Sequence, residues 1–336
     1  MCNFTTSYPL LSPKTWGIEI EELGTWNLEA EDRQPENREP RMMNLPQELT
    51  NLILGYLNQS SLIQITRVSR TLRRLALESP LILVANKKTK PVFVKQFVNT
   101  KFAIPATHHK GAANHILLNH PDRVYSIVSY DGYGDALNNL INLEILTKEY
   151  DLEDDLTCLT KLRIMNIGGD IKLAYMPKSV IILKCFKVKD FSSISDYTKL
   201  RVLEITAKKS QKGLGELIKL MPSLDRFAVT FRSKRFTDED TFPYIGATEV
   251  TVIQTQITGV FLGRFENLGS LILRHCLSFQ GKNLKKFSGY NLRLESVKVE
   301  DENISHMKDL KSLVVSNVNI SGPPPLSKST FKNLCR

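Results

Sequence analysis

The sequence predicts an α/β chain in two parts: a helical module over residues 43–85, then a solenoid of strand repeats over residues 86–322. Three observations carry this. Apolar residues within 44–83 recur at helical spacing. Beyond residue 124 one motif keeps returning, most plainly where Thr160-Lys-Leu-Arg-Ile-Met-Asn-Ile167 reappears as Thr198-Lys-Leu-Arg-Val-Leu-Glu-Ile205. A length of 336 residues suits two domains, or a small one and an extended one.

Residues 1–42 begin with isolated aromatics (Phe4, Tyr8, Trp16, Trp26) and end in the charged, proline-containing EAEDRQPENREPR. Such a segment buries too little apolar surface to offset ordering, so it reads as a flexible lead-in. It holds eight acids and four bases, a net of −4, which leaves +14 on the rest of a chain whose total is +10. A basic body invites an acidic partner or nucleic acid and says nothing about fold.

The helical module starts at Pro46, where a missing N–H costs nothing, with Glu48 near the positive end of the helix dipole. Leu49, Leu52, Ile53, Tyr56 and Leu57 form a stripe, and Asn58-Gln59-Ser60 breaks it. Ser61 and Gln64 read as a capping box for a second helix, whose apolar side runs through Leu62, Ile65, Val68, Leu72 and Leu75. Pro80 ends a third short turn. Leu54 and Ile63 lie off the stripes, so the helices are apolar on more than one face. A unit of about 40 residues rarely folds alone, so two faces imply two things to pack on: the rest of the chain and a partner.

Residues 86–123 form a junction. NKKTK is a solvated basic run, and PVFVKQFV reads as a strand opening the next domain. His108, His109, His115 and His120 cluster in sequence without an H-x₃-H helix pair or a nearby cysteine, so they read as surface loop and not as a metal site.

The repeat core, apolar-x-x-apolar-x-apolar, can be written at Val124, Leu143, Leu162, Val180, Leu200, Leu224, Ala247, Leu268, Leu294 and Leu310. One strand and a returning segment per repeat cannot cover its own apolar side, so neighbours stack. Gly215-Glu-Leu-Ile-Lys-Leu-Met221 reads as a helical return, and Gly213 and Gly215 as a turn. Ser321-Gly-Pro-Pro-Pro325 ends regular structure, and residues 323–336 are a tail.

Two resemblances follow from these residues. Leu45-Pro46-x-Glu48-Leu49, Ile53-Leu54-x-Tyr56-Leu57, Leu62, Val68-Ser69-Arg70, Leu75-Ala76 and Ser79-Pro80-x-Ile82 resemble an F-box. Leu72 and Leu83 stand where many F-boxes carry tryptophan. The resemblance implies a three-helix element that docks on a Skp-family adaptor of a cullin–RING ubiquitin ligase. It implies adaptor-binding roles for Leu45, Pro46, Glu48, Leu49, Leu52, Ile53, Tyr56, Leu57, Leu62 and Val68. The repeats resemble degenerate leucine-rich repeats, since their spacings lie near that family's period of roughly 20–29 residues. That pattern expects Asn or Cys eight residues into each repeat. Cys276 fits, Asp151, Asp170 and Thr255 substitute weakly, and Val188, Lys208, Arg232, Glu302 and Val318 do not fit.

The variable strand positions should face outward on the concave side. There Lys184, Arg226, Arg274 and Lys298 stand against Glu149, Glu204, Glu249 and Glu300, which is no phosphate-binding stripe and argues against nucleic acid. Apolar and aromatic members such as Tyr130, Phe186, Ile253 and Val314 suit a protein surface. Lys184, Phe186, Glu204, Arg226 and Arg274 are the expected substrate contacts, with Leu183, Leu203 and Phe227 as core.

No G-x-S-x-G, Walker loop, HExxH or dinucleotide fingerprint occurs. The acidic group Asp151, Glu153, Asp154 and Asp155 reads as solvated loop, as does Phe231-Arg-Ser-Lys-Arg235. The expectation is a non-catalytic chain without cofactor or metal. Five scattered cysteines without CxxC fit reduced thiols in cytoplasm or nucleus. No apolar run is long enough to span a membrane, and neither signal peptide nor prenylation box is expected. The expected function is the substrate-recognition subunit of an SCF-type ubiquitin ligase. The alternatives are a non-degradative F-box scaffold and a basic nucleic-acid or chromatin-associated repeat protein.

Overall fold

The computed structural model describes residues 45–316 apart from 58, 86–88, 90, 105–109, 129–133, 190–193, 208–220, 222, 245, 266, 306 and 308. The lead-in with Trp16 and Trp26, the tail, and Tyr130, His108, His109, Lys208, Gly213, Gly215 and Val318 lie outside these residues. The described residues fall into two compact units. One runs to Leu83 and takes in the described part of Thr89–Lys101; the other holds Val84, Ala85 and the chain from Phe102 on.

The first unit is helical. α1 spans Gln47–Gly55, α2 Gln59–Val68 and α3 Arg70–Glu78. Pro46 sits one residue before α1, and its carbonyl takes the first helical bond from the Thr50 N–H at 3.0 Å. α2 begins at Gln59, so Ser61 is not the cap expected of it. The cap falls instead at Ser69. Its extended backbone splits the long apolar pattern into two helices, and its hydroxyl accepts from the Leu72 N–H at 3.1 Å. Leu54, Leu62, Leu72, Ala76, Leu81 and Leu83 make the core. The Ser79 hydroxyl donates to Asn51 Oδ1 at 2.8 Å and so ties the end of α3 to α1.

The expected strand PVFVKQFV is a helix, α4 (Pro91–Gln96). Pro91 suits a first helical position, and Val94 and Phe97 are buried three residues apart, a helical spacing that outweighs the β-branched composition. Strand β1 (Ile82–Val84) precedes it.

The second unit is a parallel sheet. Its strands are β2 (Lys101–Ile104), β3 (Val124–Ile127), β4 (Ile145–Lys148), β5 (Ile164–Ile167), β7 (Ile182–Cys185), β9 (Val202–Ala207), β10 (Arg226–Phe231), β11 (Glu249–Ile253), β12 (Ser270–Arg274), β13 (Asn291–Glu295) and β14 (Ser312–Ser316). They pair in chain order, all in parallel. Helix α5 (Lys110–Asn119) lies between β2 and β3 and carries His115. Two short strands, β6 (Asp170–Lys172) and β8 (Lys187–Lys189), pair separately on the returning side, and 3₁₀ turns make most other returns.

Burial alternates along the strands, with Leu146, Met165, Leu183, Leu203 and Phe227 in register on the buried face. Each repeat is therefore one strand and one return, as its sequence requires. Between β10 and β11 the ladder slips. Val229 pairs with Val250, so the Ala247 repeat sits two residues out of step with the Leu224 repeat. A slip of two keeps the same side chains facing the core.

The repeat placed at Leu294 is corrected. Leu271 pairs with Leu292, and Leu273 with Leu294, so the repeat begins at Gly289. A Cβ there would meet the carbonyl oxygens of Leu268 at 2.5 Å and Gly269 at 2.6 Å, and the Phe287 ring as well, so only glycine fits. Lys298 and Glu300 leave the strand face with this correction, and Glu149 lies just past β4. Arg293 and Glu295 take the outward places. Val297, not Glu302, stands eight residues after the start of that repeat, and it is buried.

Three successive repeats bend at one position. Gln254, His275 and Ser296 have φ of 52°, 52° and 54°, and each occupies the same place in its own repeat. Each N–H donates to the following strand, to the carbonyls of Arg274, Glu295 and Ser316 respectively.

Candidate functional surfaces

The outward side of α1 is an apolar stripe without a cover among the described residues. Leu49, Leu52 and Tyr56 are 46%, 55% and 57% exposed, and Leu45 and Ile53 are partly exposed beside them. Thr50 and Leu54 on the opposite side are buried. The stripe read from the sequence is thus the outer face, and the off-stripe Leu54 is the anchor to the core. Such a stripe keeps apolar area in water that a covering surface would remove. Val68 at the end of α2 is exposed, Pro46 and Glu48 are exposed at the start of α1, and Leu57 is half-buried. Leu62 is a correction among the expected adaptor contacts: it is fully buried and belongs to the core of the helical unit.

The outward face of the sheet carries an ion-pair network. Arg226 holds Glu249 with two parallel bonds, from Nε at 2.7 Å and from a terminal nitrogen at 2.6 Å. Its other terminal nitrogen donates to Glu204 at 2.6 Å, and Glu204 also pairs with Lys184 at 2.8 Å. The register explains this. Glu204, Ala228 and Glu249 share one row, and Arg226 stands two residues earlier on the same face, so it reaches both acids diagonally. The bonds to Glu249 raise the Arg226 guanidinium above its ordinary pKa. Further along, Glu295 lies 3.3 Å from Arg274 and 3.9 Å from Arg293.

Three expected substrate contacts, Lys184, Glu204 and Arg226, are thus brought together and paired to one another. Arg274 sits in a separate group with Glu295, a partner the wrong phase of the Leu294 repeat had hidden. Phe186 lies one residue past β7, beside the strand face and half-buried. The eighth-position expectation holds at Cys276, a buried thiol that donates to the Val252 carbonyl of the preceding repeat at 3.3 Å. Asp151 substitutes by accepting from the Asp170 N–H at 2.7 Å.

No group of three or more His, Cys, Asp or Glu among the described residues is arranged to hold a metal ion, and no described helix is long and apolar enough to cross a membrane.

The F-box-like family matches residues 42–82. No curated protein matches the chain. Among solved structures, an internalin (inlF) of Listeria monocytogenes is 18% identical, covering 84% of this chain and 91% of its own, with a TM-score of 0.42. A leucine-rich-repeat protein of Leptospira interrogans is 14% identical, covering 74% of this chain and 76% of its own, with a TM-score of 0.41. The repeat architecture itself rests on the ladder: parallel strands in chain order, one per repeat, above a leucine-rich buried row. The chain therefore carries an F-box-like segment at residues 42–82, followed in sequence by a solenoid of leucine-rich, parallel-strand repeats.

Proposed function

We propose that the chain is the substrate-recognition subunit of an SCF-type ubiquitin ligase, working in cytoplasm or nucleus. The F-box-like segment holds a Skp-family adaptor, and through it the cullin–RING subunits; the repeats hold a protein substrate. The chain supplies proximity and no chemistry: it raises the local concentration of a substrate lysine near a conjugating enzyme carried elsewhere in the complex. The observation that supports this most is the α1 stripe, where Leu49, Leu52, Ile53 and Tyr56 are exposed in a segment that matches the F-box-like family.

The test is co-purification of the full chain with a Skp-family adaptor. Leu49→Asp with Ile53→Asp places two charges in the covered surface and should abolish adaptor recovery. Both residues are exposed, so circular dichroism and melting temperature should stay close to those of the parent chain. Undiminished recovery of the adaptor sinks the proposal.

A further inference from the structure

The outward ends of four neighbouring strands carry a row that the ion pairs do not reach. Ile145 pairs with Ile164, Ile164 with Ile182, and Ile182 with Val202. All four point away from the core and are half-buried. Among the described strands the row is confined to β4, β5, β7 and β9. It ends at Arg226, the next partner in register, whose guanidinium is turned to Glu204 and Glu249. An open row of β-branched aliphatics beside a self-neutralised polar row has no partner for a charged ligand at its centre. It fits an apolar one.

We infer that this row seats an amphipathic α-helix of the substrate protein, laid across the strands, with acidic residues along one side. The inference rests on the substrate-receptor reading of the repeats. Spacing selects the helix. Adjacent strands lie about 4.8 Å apart, so the row spans about 14 Å. Helical turns repeat every 5.4 Å or so, and the mismatch over three strand intervals is about 2 Å. An extended segment repeats side chains on one face every ~6.8 Å, so three of its intervals overshoot the row by about 6 Å and it cannot set one side chain on each of the four strands.

Charge gives the helix its polar side. The residues immediately before the row members read Glu144, Arg163, Ile181 and Arg201, with Asp225 next along. Arg163 and Arg201 are exposed and flank Ile181 at the middle of the row. Arg201 donates from one terminal nitrogen to the Ser223 carbonyl at 3.2 Å and forms a solvent-exposed pair with Asp225 at 3.6 Å, of the kind that contributes little, which leaves its other donors open. The two bases stand at the middle of this line and the two acids at its ends, so it complements a helix with leucines at i, i+3 or i+4, and i+7 and with glutamates beside its central turns only.

The probe is a helix-stabilised synthetic peptide of about 14 residues, roughly four turns, with that pattern. Fluorescence anisotropy with the full chain reads binding. The acidic amphipathic peptide should bind at least about ten-fold more tightly than a scrambled peptide of the same composition. The triple variant Ile164→Thr, Ile182→Thr, Val202→Thr keeps β-branched side chains, so it keeps the strands while removing the aliphatic surface. It should lose that preference while still unfolding in one cooperative transition, at a melting temperature a few degrees lower. Arg163→Glu with Arg201→Glu should shift the preference to a lysine-flanked peptide.

Equal binding of the scrambled peptide, or full binding by the folded triple variant, overturns the inference. The adaptor experiment reads the other part of the chain, so the two failures separate. Adaptor binding without helix selectivity removes the docking row alone. Helix selectivity without adaptor binding removes the ligase role.

Discussion

Asp238 grips the start of the following return with both carboxylate oxygens. One accepts from the N–H and hydroxyl of Thr258 at 2.9 and 2.7 Å, the other from the N–H groups of Gly259 and Phe261 at 3.0 and 3.3 Å. Hydrogen bonds to a charged group each contribute about 1.5–3 kcal/mol, and the orphaned N–H groups carry their own penalty. Asp238→Ala should therefore cost about 3 kcal/mol in chemical denaturation; a loss below ~1 kcal/mol would mean that water replaces the carboxylate. Tyr197 makes a second inter-repeat tie. Its buried hydroxyl donates to the carbonyls of Leu173 and Met176, and burial, then Asp196, pushes its pKa up to about 12. A tyrosine titrating near 10 in the unfolded chain stabilises the fold fully below that pH, and the contribution disappears as pH rises towards the folded value. Stability should fall between about pH 10 and 12, and Tyr197→Phe should flatten that fall while lowering stability at neutral pH, as melting curves across the range will show.

At the scale of elements, the cap at Ser69 decides where one helix becomes two. Ser69→Ala should cost about 1 kcal/mol and leave the exposed α1 stripe, and so the proposed adaptor contact, in place. The bends at Gln254, His275 and Ser296 hold ordinary residues in left-handed backbone, a conformation that costs about 1 kcal/mol per residue. Glycine at Gln254 should raise the melting temperature or leave it unchanged, whereas Val should lower it by several degrees, because branching at Cβ is worst in that region.

The same elements show what the residues announce and what they hide. Periodicity reveals α1 and the strands because each has one side that must leave water. It misses the helix at Pro91, whose valines and phenylalanines favour either state until their neighbours decide. It also misses the start of the repeat at Gly289, since a position chosen for absence of a side chain carries no hydrophobic signal. The error there moved Lys298 and Glu300 onto the outward face and hid Arg293 and Glu295. The pairing of Lys184, Glu204 and Arg226 is likewise invisible along the chain: they come from three successive repeats, and strand register alone makes them neighbours.

Across the whole molecule, a sheet in which each strand meets only its chain neighbours spreads stability along its length. Leu203, buried in the middle strands, should cost about 2–5 kcal/mol on truncation to Ala and lower the melting temperature. Phe186→Ala, beside the face and half-buried, should leave melting close to the parent and weaken the proposed substrate contact. The opposite pattern in the two variants would mean that the outward and inward sets are exchanged.

The uniform interval of the last repeats makes chain length an adjustable quantity. From β11 to β14 every step of the ladder is the same: Glu249, Ser270, Asn291 and Ser312 stand in one row at equal distances along the chain. Excising residues 268–288 would bring β13 beside β11 with inward leucine still facing inward valine and the bend at Ser296 replacing that at His275. The shortened chain should melt in a single transition at a lower temperature, having lost Asn283 and its bond to the Thr258 carbonyl. Nothing comparable is open across β10 and β11, where the interval between repeat origins and the interval of the ladder disagree by two residues. A cut there joins strands whose turns no longer meet. The C-terminal portion is thus a stretch that duplication or deletion can lengthen and shorten one unit at a time, and the slip marks where that freedom ends.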